Sequence, residues 1–130
     1  MNQYGISVKG IVEYKDRYLI VERWFDDRIV DPYQWGFLDD KIEFGEAPEK
    51  EVLRIAADMT GLSVHMKQAL YTWSYMVGEV FNIGIAYLLQ ADSDEVILSE
   101  ELNDYKWVKK EELGQYIENS MILKDVETYL

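Results

Sequence analysis

The sequence predicts an α+β fold in which a mixed, mainly antiparallel sheet is covered by helices on both faces. Three observations carry that expectation. The first half alternates β-branched stretches with turn residues, a single segment with agreeing helix start and stop signals lies near the middle, and long strand-like runs followed by a terminal helix complete the chain. No internal repeat, linker or composition shift divides it, so residues 1–130 are read as one domain. Area scaling gives a chain of 15.3 kDa a folded surface of roughly 7,100 Å² against about 22,000 Å² unfolded, enough burial for a core of its own.

Taken in order, Ile6 to Tyr14 is rich in β-branched residues, Lys15-Asp16 offers a turn, and Arg17 to Arg23 resumes the extended pattern, which together predict an N-terminal hairpin. Asp26, Asp27, Asp31 and Pro32 mark a polar loop leading to the short apolar piece Trp35 to Leu38. Asp39, Asp40, Gly45 and Pro48 then punctuate a second loop. From Pro48 to Met59 the helix signals agree: proline suits the first helical position, Glu49 and Glu51 complement the positive end of the dipole, and Gly61 can close the C-terminus. At 100° per residue Val52, Ala56 and Met59 form an apolar stripe, extended by Leu53 and Ile55, while Glu51, Arg54 and Asp58 share a neighbouring polar face. Val64 to Tyr75 and Val80 to Gln90 read as long strands joined around Gly78-Glu79, the second apolar enough to be buried on both faces. Asp92 to Asp104 is an acidic loop and Tyr105 to Val108 a short last strand. Glu111 to Glu118 and Ser120 to Tyr129 are expected to be closing helices, with Ser120 as an N-cap.

Composition excludes several classes of function. With no cysteine and one histidine, His65, the chain has no disulfide framework, thiolate metal site, cysteine nucleophile or histidine cluster. Thirteen Lys plus Arg against twenty-five Asp plus Glu give a net charge of −12, which repels nucleic-acid backbones and anionic membrane surfaces and favours a hard cation as partner. No apolar run reaches membrane-span length, and Met1 to Gly5 lacks the plan of a signal peptide, so a cytoplasmic location is expected.

The stretch from Trp35 to Pro48 (WGFLDDKIEFGEAP), followed by Arg54 to Leu62 (RIAADMTGL), resembles the signature of the Nudix hydrolase family, G-x5-E-x7-R-E-U-x-E-E-x-G-U with U apolar. Laid on this chain, the leading glycine falls on Asp40, the first glutamate on Glu46, the arginine on Arg54 and the terminal pair on Gly61-Leu62. The resemblance extends over nearly the whole chain and implies an α/β/α sandwich. It also implies Mg²⁺-dependent hydrolysis of a nucleoside diphosphate linked to another moiety, with helix carboxylates holding the metal and the metal supplying a hydroxide nucleophile. The glutamate expected after the arginine is Ile55, and the two later ones are Asp58 and Met59, so two of three helix carboxylates are missing.

The family's glutamate at position 55 binds metal and in some members is considered a base, a role worth roughly 10²–10⁴-fold in rate. Isoleucine does neither. Asp58 keeps a carboxylate that is one methylene shorter. The resemblance therefore implies weak Mg²⁺ binding, through Asp58, Asp40 and a loop acid such as Glu101, with Glu51 and Asp58 as the residues left to support catalysis. Asp40 also replaces a glycine, which restricts positive φ. Glu46 and Arg54 are expected to form the ion pair that braces the box, with Gly61 as a structural element. Arg23, Arg28 and Lys41 are the candidate donors to a diphosphate. Ile55 and Met59, one helical turn apart, either widen the core-facing stripe or form an apolar patch for another ligand. Trp24, Phe25, Trp35, Tyr71, Trp73 and Tyr75 supply aromatic surface for base stacking, for the core or for homodimerisation. Two functions follow: a hydrolase with a rearranged metal set, or a catalytically silent nucleotide-binding or protein-interaction module on the same fold.

Overall fold

The computed structural model describes residues 3–24 and 34–130. Its strands are β1 (Gln3–Tyr14), β2 (Arg17–Arg23), β3 (Trp35–Gly36), β4 (Leu38–Ile42), β5 (Val64–Val77), β6 (Val80–Ala91) and β7 (Leu102–Lys109). The helices are α1 (Pro48–Thr60) and α2 (Ser120–Tyr129), and a 3₁₀ turn spans Lys110–Gln115. The expected hairpin forms: Lys15 and Asp16 both adopt positive φ, as a two-residue hairpin turn demands. Residues Asp39 and Asp40, expected in a loop, belong to β4, where they pair with Lys9 and Val8 of β1. The pairing gives this segment a hydrogen-bonding partner in β1 and leaves the two side chains on alternate faces, so polarity alone does not make it a loop.

β1 is the hub of the sheet. It runs parallel to β6 from Gln3↔Val80 to Glu13↔Gln90 and antiparallel to β4, while β6 pairs antiparallel with β5. On the other side, β2 joins β7 and β3 in antiparallel register. This is the mixed, mainly antiparallel sheet that the strand pattern foretells.

Two cores lie on opposite faces. Val8, Val12, Leu19, Val21 and Leu38 point to the face covered by α1, where Val52, Ile55, Ala56 and Met59 pack on them. Ile11, Ile20, Phe37, Tyr71 and Leu88 point the other way and meet Leu113, Ile117 and Val126 beneath α2. Alternation along β1 is thus the device that separates the faces: Val8, Gly10 and Val12 look to α1, whereas Lys9 and Ile11 look to α2.

α1 begins at Pro48 and ends on Gly61, whose φ of 69° and N–H donation to Ala57 O form the expected left-handed stop. The acidic loop after β6 laces onto this end, with Ile97 N donating to Thr60 O (2.8 Å) and Ser99 N to Met59 O (3.0 Å), which satisfies carbonyls that a helix terminus leaves open. At α2 the cap is Asn119 rather than Ser120. Its side-chain oxygen accepts from the N–H groups of Met121 and Ile122, so the helix starts one residue earlier in effect than a Ser120 cap implies. The helix expected from Glu111 to Glu118 is the shorter 3₁₀ turn, anchored by buried Leu113. No helix among the described residues is long and apolar enough to cross a membrane.

Candidate functional site

On the α1 face, the polar edge of the helix carries Glu51, Arg54 and Asp58, at i, i+3 and i, i+4 spacings about the arginine. That arrangement sets one guanidinium between two carboxylates, and the structure closes both contacts: Arg54 Nε donates to Glu51 Oε2 at 2.7 Å and Nη1 to Asp58 Oδ2 at 3.0 Å. Hydrogen bonding and charge from Glu51, and secondarily from Asp58, hold the Arg54 proton more firmly than usual. The pair expected between Glu46 and Arg54 does not form. Glu46 instead turns back and accepts the backbone N–H of Glu43, while partners on Arg54's own helix lie within reach without ordering the loop.

Ile55 and Met59 are each 3% exposed and belong to the core beneath α1. Of the two readings left open by the sequence, the structure selects the core stripe. Asp40 lies in β4 without positive φ, so the loss of a glycine there imposes no backbone strain. Strand alternation turns Asp40 toward the α1 side and Asp39 and Lys41 toward the α2 side. Glu101 sits in the turn before β7 and accepts from Ser99 Oγ at 3.3 Å.

A magnesium site of the family type needs several converging anionic oxygens. The residues present do not fit it. Positions 55 and 59 offer an alkyl chain and a thioether directed into the core, and Glu51 and Asp58, two of the helix's three carboxylates, already bind Arg54. Among the described residues, no three His, Asp or Glu side chains converge closely enough to hold a metal, so Asp58, Asp40 and Glu101 are not gathered around one point.

The α2 face is different. Between the sheet and the start of α2 lies a cleft of about 380 Å³, lined by Lys9, Asp39, Trp73, Tyr75, Asn119 and Asp125, with Met121 and Ile122 at its helix side. Asp39 and Asn119 also bound a narrower recess of about 160 Å³ that reaches Arg23 and Trp35. Arg23 crosses to β4 and donates to both the backbone oxygen (2.7 Å) and the carboxylate (2.8 Å) of Asp39. Lys9 is only 5% exposed; burial pulls its ammonium below the ordinary lysine range, while Asp39 and Asp125 oppose that shift. Its Nζ lies 4.4 Å from the centre of the Trp73 ring and donates to Tyr71 Oη at 3.5 Å.

Of the candidate diphosphate donors, the structure brings Arg23 to the edge of these recesses, leaves Lys41 exposed on β4, and Arg28 falls outside the described residues, as does Phe25. Among the aromatics, Tyr71 stacks on Tyr129 at 4.9 Å, Trp73 lines the cleft and Trp24 is exposed. His65 pairs with Asp92 on the surface at 3.1 Å. Sequence reasoning misses Lys9, Asn119 and Asp125. A signal for Lys9 exists: it is a lone charge in the run Ile6-Ser7-Val8-Lys9-Gly10-Ile11-Val12, in phase with a core isoleucine.

A mixed sheet between two helices, with a loop and helix of this spacing on one face, is the architecture that the family resemblance implies, and comparison with known proteins agrees. No family model matches the chain. It is 30% identical over 102 residues to the nucleoside triphosphatase NudI of Escherichia coli O139:H28, covering 70% of this chain and 72% of that protein, and equally so to NudI of Shigella flexneri. The chain belongs to the Nudix family. Its fold superimposes on the MutT protein of Methanosarcina mazei Go1 with a TM-score of 0.83 at 23% identity, covering 98% of this chain and 93% of that one. The MutT Nudix hydrolase of Burkholderia pseudomallei gives 0.79 at 20% identity, with 97% and 98% covered.

Proposed function

We propose that this chain binds a nucleotide derivative on the Nudix fold and that its magnesium-dependent cleavage of a nucleoside diphosphate linked to another moiety is weakened or lost. The observation that carries this reading is Arg54, which occupies Glu51 and Asp58 on the polar edge of α1 while Ile55 and Met59 face the core. A cation entering there would have to displace a guanidinium from Glu51 and Asp58 and would still find too few oxygens. The relatives' name, nucleoside triphosphatase, supports a nucleotide as ligand and adds nucleoside triphosphates, themselves nucleoside diphosphates linked to phosphate, to the substrates worth testing. A small nucleotide ligand also suits the cytoplasm and residues 1–130 acting as one domain.

The cleft beneath α2 favours the second reading, a silent binding module, because recognition surface there is independent of the oxygen donors on α1. A Mg²⁺ titration followed by a pyrophosphohydrolase screen over nucleotide sugars, dinucleotides and nucleoside triphosphates separates the two. Expected is binding with turnover roughly 10²–10⁴-fold below that of a relative retaining the glutamate at position 55. Residual turnover that disappears in Asp58→Ala identifies a rearranged hydrolase, and binding without turnover identifies the module. Full-rate, Mg²⁺-dependent cleavage by the unaltered protein overturns the proposal.

A further inference from the structure

Three strands of five residues or more keep an open edge among the described residues: β4 pairs only with β1, β7 only with β2, and β5 only with β6. An open edge presents unpaired N–H and C=O groups to any other strand, and charged side chains are a common guard against that. β4 carries Asp39, Asp40 and Lys41, and β7 carries Asp104, Lys106 and Lys109. β5 is the longest described strand, yet from Gln68 to Val77 (QALYTWSYMV) it has no charge, proline or glycine. Of the three edges, this one alone is unguarded.

The turn that ends β5 fixes which backbone groups face outward. Gly78, at a φ of 60°, and Glu79 form a two-residue hairpin turn between Val77 and Val80. Such a turn closes on a hydrogen-bonded pair, so the N–H and C=O groups of Val77, Tyr75 and Trp73 point to β6 while those of Met76, Ser74 and Thr72 point away from the sheet. All three outward positions are exposed. Tyr75, Met76 and Val77 also leave three consecutive large apolar side chains in solvent, Met76 at 60% and Val77 at 61%. Tyr4 and Phe81, packed edge to face, stand in the same row as Met76 and extend the apolar surface across three strands. Scattered exposed hydrophobes are ordinary, whereas a consecutive run along an unpaired edge marks a place where another strand docks.

We propose that β5 is the interface of a homodimer, in which two copies pair this edge antiparallel about a twofold axis beside Trp73 and continue one sheet into the other. Charge selects that partner and that direction. Two copies with a net charge of −12 repel each other over most of their surfaces and least along the uncharged segment. The segment is flanked by opposite charges, Lys67 before it and Glu79 after it, so antiparallel alignment sets unlike charges together and parallel alignment sets like against like. Lys67 also pairs with Glu13 at 3.0 Å and has donors to spare. Alternation fits the same axis. Tyr71, Trp73 and Tyr75 lie on the α2 side and Thr72 and Ser74 on the other, so a twofold at Trp73 places Tyr71 opposite Tyr75 of the second copy and Thr72 opposite Ser74. The backbone groups of Thr72 and Ser74 are those that point outward, and the interface is self-complementary as a twofold contact must be.

Sedimentation equilibrium of the unaltered protein over roughly 1 μM to 1 mM tests the proposal, and a mass of twice 15.3 kDa is expected in the upper part of that range. Ser74→Pro removes an outward N–H that no strand of the same copy uses, and is expected to weaken dimerisation by roughly 10- to 100-fold, since the twofold repeats each loss. Met76→Lys, a charge at an exposed position of the edge, is the second variant and is expected to give a monomer with an unchanged far-ultraviolet circular dichroism spectrum. Glu79→Lys is expected to weaken the dimer at low salt, and the effect should fade near about 1 M salt, where charges are screened within about 3 Å. A protein that stays monomeric up to about 1 mM overturns the proposal; if that monomer captures a synthetic peptide of the sequence QALYTWSYMV and Ser74→Pro abolishes capture, the edge serves a foreign strand instead. A dimer that survives both Ser74→Pro and Met76→Lys uses another surface and overturns it equally.

Discussion

The two faces of one sheet have opposite characters. On the α1 face, Ile55 and Met59, at two of the positions where the family pattern has carboxylates, belong to the hydrophobic core, and Glu51 and Asp58 are paired with an arginine on the same helix. On the α2 face, a lysine whose position would be more stable with an apolar side chain stays buried beside an aspartate that is unpaired among the described residues. One face carries apolar side chains where the family pattern has carboxylates, and the other retains costly polar groups. Strand alternation places these two sets of side chains on different sides of the same sheet, so on the proposed reading catalysis and recognition would be separable.

Replacing the core residue at the centre of the α1 face is the severest test of the contrast. Ile55→Glu restores the family's residue but buries an unpaired carboxylate, and is expected to destabilise the protein by at least about 3 kcal/mol in urea unfolding. Ile55→Ala should cost about 2–4 kcal/mol through the cavity it leaves. An Ile55→Glu variant as stable as the parent would show that this side of α1 opens readily to water and that its burial does not define the face.

At α2, Asn119→Ala removes the acceptor for two helix N–H groups and should cost about 1 kcal/mol, against a few tenths for Ser120→Ala. Equal losses would return the cap to Ser120.

Lys9 and the tyrosines differ in the sign of their pH response. Burial lowers Lys9 from 10.5, so the folded protein carries the cost of its charge at low pH and gains stability as pH rises from the folded value toward 10.5. Lys9→Met should abolish that rise and raise stability by about 1 kcal/mol near neutrality. Tyr18 is pushed up to about 12 by burial and then by Glu13, so it opposes the trend: from 10 to 12 the unfolded tyrosine ionises first and stability falls. Tyr71 and Tyr87 are raised mainly by burial as well. Of ten tyrosines, these three should ionise late in a spectrophotometric titration. A single transition at the ordinary tyrosine value would contradict their environments.

Much of the architecture is legible in the residues. The hairpin follows from β-branched runs flanking Lys15-Asp16, and α1 from Pro48, the first-turn glutamates and Gly61. The acids Asp39 and Asp40 mislead because turn-forming residues also occupy strands when a neighbouring strand supplies hydrogen bonds. The Glu46–Arg54 pairing comes from the family pattern, yet Glu51, Arg54 and Asp58 share a helix face in the sequence, which already contains the arrangement that forms. The cleft is the least legible part. It assembles Lys9, Trp73, Asn119 and Asp125 from positions far apart in the chain, and no local spacing records that meeting.

The central claim, that Arg54 stands where a cation would have to bind, is tested most directly by Mg²⁺ calorimetry on the unaltered protein and on Arg54→Ala. The parent should show no saturable binding at millimolar Mg²⁺. Arg54→Ala, which releases Glu51 and Asp58 from an exposed contact, should bind Mg²⁺ detectably but weakly, since two carboxylates fall short of a full site, while unfolding at nearly the same midpoint. Stoichiometric Mg²⁺ binding by the parent, unaffected by loss of Arg54, would contradict the account.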